Sequence, residues 1–145
     1  MKKQILLVNG PNLNLLGTRE PEIYGSTTLD DIISRLTKRA QDRGWTLQNF
    51  QSNHEGEIID FIHKEADNAD AIIINPAGYT HTSVAIRDCI LAKNILAVEV
   101  HLTNIYKRES FRHHSFIHDI AEAVIVGMGE WGYYFALDYI ISRYE

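Results

Sequence analysis

Glu99 and His101 stand two residues apart at the end of an apolar run. In a β-strand that spacing sends both side chains to the same face. A carboxylate that accepts from one ring nitrogen orients the imidazole and raises its pKa, which leaves a protonated histidine able to donate. The same spacing also fits a histidine that closes a strand in a satisfied hydrogen bond. Asn12 and Asn75 follow two other apolar runs, where an uncharged amide can hydrogen-bond a ligand oxygen without adding charge. Arg19 and Tyr24 lie near the tip of a long loop; by themselves they read as a solvated charge and an aromatic packed over the domain. Lys107, Arg108, Arg112, His113 and His114 form a basic cluster mixed with Glu109 and aromatic residues, the composition of a solvated loop or of an anion site. His81, His101, His113 and His114 show no metal-ligand spacing, so no metal is expected. The lone Cys89 can form no internal disulfide and reads as a small apolar helix residue.

The elements that would position these groups alternate along the chain. Gln4–Asn9, Trp45–Gln51, Asp70–Asn75, Ile95–Val100 and Ala123–Met128 are short runs rich in Ile, Leu and Val, as expected of buried parallel strands. Helical spacing separates them. A first helix places Leu29, Ile32, Ile33, Leu36 and Ala40 on one face, begins at a Thr28/Asp31 capping pattern and stops at Gly44. A second buries Ile58, Ile59, Ile62 and Ala66. A third, from about Thr82 to Asn94, aligns Ala85, Ile86, Cys89 and Ile90, and a last one runs from about Trp131 to Tyr144. The expected architecture is α/β: a flavodoxin-like, doubly wound, five-stranded parallel sheet of order 2-1-3-4-5, formed by a single domain over residues 1–145. Ligands bind such sheets beyond the carboxyl ends of the strands. The polar segments 9–25, 75–83 and 101–115 leave three of those ends, and the first exceeds the usual ~2–6 residues of a βα loop, as lids and binding loops do.

Composition narrows the function classes. With 14 basic and 19 acidic residues and a formal charge of −5, nucleic acid is disfavoured as a partner, since phosphate neutralisation needs a basic surface. Any anionic ligand must then meet locally placed arginines. The apolar runs fall well short of the ~20 residues of a membrane span and of a signal-peptide core, so no membrane partner and a cytoplasmic location are expected. A flavin-binding protein of this architecture would carry a Gly/Ser/Thr-rich first loop, and a receiver-type signalling module an aspartate where Asn75 stands.

Four segments in order, NGPNLNLLGTREPEIYG at 9–25, QSNHEGEIID at 51–60, INPAGYTHTSVAIRDC at 74–89 and EVHLTNIYKRESFRHHS at 99–115, resemble the motifs of the type II 3-dehydroquinate dehydratases. Ala77-Gly78, Thr103 and Cys89 depart mildly from the family pattern of Gly-Ala, serine and alanine. None of these removes a group that does chemistry, though Thr103 bears on how substrate hydroxyls are held. The resemblance implies dehydration of 3-dehydroquinate to 3-dehydroshikimate in the shikimate route, without cofactor, Schiff base or metal, by an anti elimination through an enolate. It assigns Tyr24 as a tyrosinate base. A phenol of pKa ~10 must be depressed by cations for that role, and Arg19 is the source, with Arg108 assisting. It makes His101 the general acid beside Glu99, and gives Asn12 the catalytic polar role near the enolate. Asn75, His81, Arg112 and the backbone amides of Leu102 and Thr103 hold substrate. Asp88 lies roughly opposite the buried face of its helix, and the resemblance has it reach a neighbouring subunit's site within a trimer, four of which make a homododecamer. The aromatic tail Trp131, Tyr133, Tyr134, Phe135, Tyr139 and Tyr144 fits either packing or subunit contact. Asn9, Asn14, Asn53 and Gly56 read as turn and cap residues.

Overall fold

The computed structural model describes residues 1–18, 22 and 25–145. Arg19 and Tyr24 lie outside the described residues. Strands β1 (Gln4–Asn9), β2 (Thr46–Gln51), β3 (Ala71–Asn75), β4 (Leu96–His101) and β5 (Ala123–Val126) pair in parallel in the order β2-β1-β3-β4-β5, as expected.

Helices α1 (Leu29–Gln41), α2 (Glu55–Glu65), α3 (Val84–Lys93) and α4 (Trp131–Tyr144) cover both faces. Period-two alternation in the central strands decides which side chain meets which layer. Ile5, Leu7, Ile73, Val98 and Val100 pack with Ile32 and Leu36 of α1 and Leu137, Ile140 and Ile141 of α4. Leu6, Val8, Ile72, Ile74 and Ala97 pack with Ile58 and Ile62 of α2 and Ile86, Cys89 and Ile90 of α3. Each fully buried aliphatic chain contributes about 1.5–3 kcal/mol, so the three inner strands anchor the molecule.

Among the described residues, side-chain caps start two of these four helices, α1 and α3. Thr28 and Asp31 form the expected reciprocal capping box of α1. Helix α3 starts at Val84 rather than Thr82, because the Ser83 hydroxyl accepts from the Ile86 amide at 2.9 Å and sets the first turn there. Ala85 is exposed and does not share the face assigned to it, whereas Ile59 is half-buried and packs against the core as expected. In α3 the core contact is carried by Ile86, Cys89 and Ile90 alone. Burial pushes the Cys89 thiol up to about 11, in keeping with an apolar role. Strand β5 stops at Val126 because Gly127 and Gly129 adopt positive φ and turn the chain. Of the tail, Tyr133 and Tyr134 are buried, whereas Trp131, Phe135 and Tyr139 are exposed. No helix among the described residues is long and apolar enough to cross a membrane.

Candidate active site

The order of the sheet reverses between β1 and β3, so the connections leaving β1 and β3 diverge there and open a crevice. A cleft of about 400 Å3 lies at that point, lined among others by Asn12, Asn75, His81, His101, Arg108 and Arg112. Its floor depends on one close approach. The Gly10 amide donates to the Asn75 carbonyl at 2.8 Å, and a Cβ on Gly10 would lie 2.3 Å from the Pro76 carbonyl oxygen. Only glycine lets the first loop sit against the third strand's exit.

Behind the cleft, alternation along β4 places Glu99 and His101 on the face of Ala97. Here the expected pair is observed, with His101 the last residue of the strand instead of the first beyond it. Glu99 is fully buried and His101 nearly so. His101 Nε2 meets Glu99 Oε2 at 2.5 Å, which leaves its Nδ1 as the other proton-carrying position. The same carboxylate accepts from the Thr80 hydroxyl at 2.6 Å, from Ser115 Oγ at 3.0 Å and from His118 Nδ1 at 2.8 Å. Burial drives the carboxyl pKa up, but the hydrogen bonds and charge of His101, with Thr80 and His118, outweigh it and hold the group below the ordinary carboxylate range. Glu99 is therefore an anion at neutral pH.

This lowered pKa carries a stability prediction. A carboxyl depressed in the folded state adds stability that is fully present above its unfolded value and is lost as pH falls through the folded one. Glu99→Gln keeps the shape but presents an amide N–H to donors, and is expected to cost about 3 kcal/mol at neutral pH by breaking a buried charge pair. The gap between parent and variant in urea unfolding should narrow as pH drops below the ordinary carboxylate range. A gap that stays constant with pH would show that Glu99 is not held ionised.

Around the cleft the other groups are held in complementary states. His81 Nδ1 donates to the His114 carbonyl at 2.7 Å, and burial, more than the nearby His101 and Arg112, keeps its pKa below the usual histidine value. Its Nε2 is thus an acceptor at neutral pH. Arg112 is half-buried; among the described residues its Nε donates to Glu109 at 2.5 Å and its guanidinium lies 5.1 Å from the Phe111 ring centre. The amides of Leu102 and Thr103 donate to no acceptor among the described residues. With Arg108 beside them, these donors make the cleft suitable for a polyhydroxylated anion on a protein whose net charge is −5.

Asn75 is fixed from two sides. Its Nδ2 donates to the Tyr133 hydroxyl at 2.9 Å and its Oδ1 accepts from the Ala77 amide at 3.1 Å. Tyr133 passes its own proton to Asn9 Oδ1 at 2.6 Å, and burial pushes its phenol pKa well up, so Tyr133 is a neutral strut. Asn9 is consequently more than a turn residue: it lies at the base of this chain of bonds. Asn12 adopts a left-handed φ of 70°, which asparagine tolerates better than most residues, and its amide is held by Asn53 Oδ1 at 2.9 Å.

Of the residues singled out from the sequence, Asn12, Asn75, His81, His101, Leu102, Thr103 and Arg112 meet at one cleft, with Glu99 directly behind. Asp88 is exposed on α3 and does not line it. Thr80, Ser115, His118 and Tyr133 were missed. Thr80 and Ser115 lay inside recognised segments, but nothing in the spacing of His118 or Tyr133 ties them to residues 19 and 58 positions away. Among the described residues, no three or more His, Cys, Asp or Glu side chains are grouped to hold a metal ion.

Known proteins similar to this chain span nearly all of its length. Residues 3–141 match the family model described as dehydroquinase class II. A catabolic 3-dehydroquinase of Emericella nidulans is 55% identical over 145 residues, covering 100% of this chain and 95% of that protein. A 3-dehydroquinate dehydratase of Actinobacillus pleuropneumoniae is 55% identical over 143 residues, covering 99% and 93%. The crystal structure of type II dehydroquinase from Propionibacterium acnes superposes with a TM-score of 0.91 at 41% identity, covering 98% of each chain.

Proposed function

The chain belongs to the class II dehydroquinase family, and on that premise we propose that it dehydrates 3-dehydroquinate to 3-dehydroshikimate. The observation that carries this reading is the buried Glu99–His101 pair opening onto a cleft ringed by Asn12, Asn75, His81, Arg108 and Arg112. The Tyr24 phenolate, stabilised by Arg19, takes the proton beside the ketone, and the C–H electron pair becomes the enolate. The amides of Asn12 and Asn75 meet the charge that develops on the enolate oxygen. The enolate then re-forms the ketone as the C1–O bond breaks, and His101 supplies the proton with which the hydroxyl leaves as water, in an anti sense. Glu99 orients the imidazole through Nε2, which leaves Nδ1 as the nitrogen that donates. Neutral His81 accepts from a ring hydroxyl. The planar fork of Arg112 binds hydroxyls or carboxylate, and the Leu102 and Thr103 amides take the substrate carboxylate. No lysine lines the cleft among the described residues, which fits an elimination without a Schiff base. The test is direct: 3-dehydroquinate added to the purified protein should give the ultraviolet absorbance of a conjugated enone. A flat trace throughout the neutral pH range would sink the reading.

The reaction belongs to the shikimate route, and we place it in the cytoplasm, in a homododecamer built as a tetramer of trimers. Asp88, exposed and away from its own cleft, would then complete a neighbour's site. Chains carrying Asp88→Ala and Tyr24→Phe, each poor alone, should regain part of the activity when co-assembled, because some sites combine an intact loop with a neighbour's intact Asp88. Mass spectrometry must show the mixed oligomer. Given mixing and a defective Asp88→Ala parent, activity no higher than the separate variants would assign Asp88 to its own subunit or to the fold.

A further inference from the structure

Glu99 has two oxygens and meets an imidazole at each. His101 takes Oε2, and His118, arriving from the segment before β5, donates from Nδ1 to Oε1 at 2.8 Å. The two rings lie 6.3 Å apart, edge to face. From this arrangement we propose that His118 is a second histidine of the acid machinery. It positions the Glu99 carboxylate for His101, and its own protonation competes with that of His101 for the single buried charge. The proposal rests on the dehydratase reading for its activity arm only.

The segment carrying His118 is held firmly. Ile117 is fully buried, the Phe116 amide donates to the Thr80 carbonyl at 2.8 Å, and Arg87 of α3 donates to the Phe116 carbonyl at 2.8 Å and pairs with the Asp119 carboxylate. His118 Nε2 faces the Tyr106 hydroxyl at 3.2 Å. A phenol donates to an unprotonated ring nitrogen, so this contact favours the neutral tautomer with its proton on Nδ1, the one that can donate to Glu99. The ring also borders a second hollow, of about 630 Å3, which shares no lining residue with the substrate cleft. In the single chain the His118 side chain is 22% exposed, on the side away from the substrate cleft.

The charged and titratable groups around His118 are Glu99 and His101 on β4, Tyr106 on its 3-10 turn, Arg87 on α3 with its partner Asp119, and His113 and His114 on the rim of the hollow. Among the described residues only Glu99 and Tyr106 bond to the ring. One carboxylate balances one imidazolium; a second positive ring so close is opposed by like charge. A charge on one ring therefore opposes a charge on the other, and by reciprocity the opposition is the same in both directions.

The experiment uses the full chain and three variants. His118→Asn keeps a neutral donor near the position of Nδ1, His118→Leu removes it, and His101→Gln removes the competing ring. With 3-dehydroquinate, His118→Leu should lower kcat about tenfold, the worth of a hydrogen bond to a buried charge, with KM within about twofold, and His118→Asn should recover kcat to within about threefold. Independently of any substrate, histidine 15N NMR should show coupling. The His118 midpoint should rise in His101→Gln and the His101 midpoint in His118→Asn, each by about half a pH unit, a threefold change in proton affinity. Parental kcat in His118→Leu, no recovery in His118→Asn, or an unmoved midpoint in either titration would each overturn the proposal. If His118→Leu fails to fold, the asparagine variant and the NMR titrations decide. A parent inactive on 3-dehydroquinate would sink the functional reading while leaving the NMR test intact.

Discussion

His101→Gln is expected to lower kcat by a factor on the order of 10³, the usual worth of a positioned general acid, with KM close to the parent's. Glutamine carries its amide nitrogen near the place of Nε2, so it can still donate to Glu99, which accepts from that position at 2.5 Å. The buried carboxylate keeps its hydrogen-bond partners but loses the charge of the imidazole beside it, so some loss of melting temperature should accompany the change. What disappears is the transferable proton. An amide cannot release one near neutrality, so the hydroxyl would have to leave as hydroxide or borrow a proton from water. The alkaline limb of the parent's kcat profile, which reports the acid in the enzyme–substrate complex, should vanish with it. Steady-state rates across pH check both points. A variant retaining kcat within about threefold would take His101 out of the acid role, since that residue loss is far below the effect of deleting a general acid.

An equally large loss is expected for Tyr24→Phe, again on the order of 10³ in kcat, because the variant lacks only the phenol oxygen that would remove the proton. The arginine five residues earlier separates a basic role from a merely binding one. A free phenol of pKa ~10 is almost wholly protonated at neutral pH, and a cation within a few ångströms lowers such a value by ~1–3 units. In Arg19→Ala the acid-side limb of kcat/KM, which reports the base in the free enzyme, should therefore move to higher pH by at least ~1 unit. Part of the lost rate should return in alkaline buffer. Tyr24→Phe should show no such recovery. If Arg19→Ala lost rate equally at every pH, Arg19 would be a substrate contact, and the tyrosinate would need another source of stabilisation.

Much of this protein is written in local pattern. Five short apolar runs with helical stretches between them leave few topologies once crossovers are right-handed, and the observed order is the expected one. The Thr28/Asp31 box, the apolar stripe of α1 and the shared face of Glu99 and His101 are set by neighbours two to four residues away. Such short-range geometry survives folding unchanged. The four family segments add the chemistry, because residue types and order along three strand exits identify the site that those exits can build.

Tertiary structure decided what depends on groups distant in the chain. Burial of Glu99 could not be read from its own run, since a carboxylate on a strand is ordinarily solvated. It is held as a buried anion because Thr80, Ser115, His101 and His118 converge on its two oxygens. The neutral state of His81 is likewise set by burial and the His114 carbonyl, and the orientation of Asn75 by Tyr133, far down the chain. A hydrogen bond is directional and short, so its partner must be placed to a fraction of an ångström. Sequence spacing offers that accuracy only within a single turn or strand. Across elements it comes from the packing of the sheet against α1 and α4 on one face and α2 and α3 on the other, which fixes where the strand exits stand and which side chains meet between them.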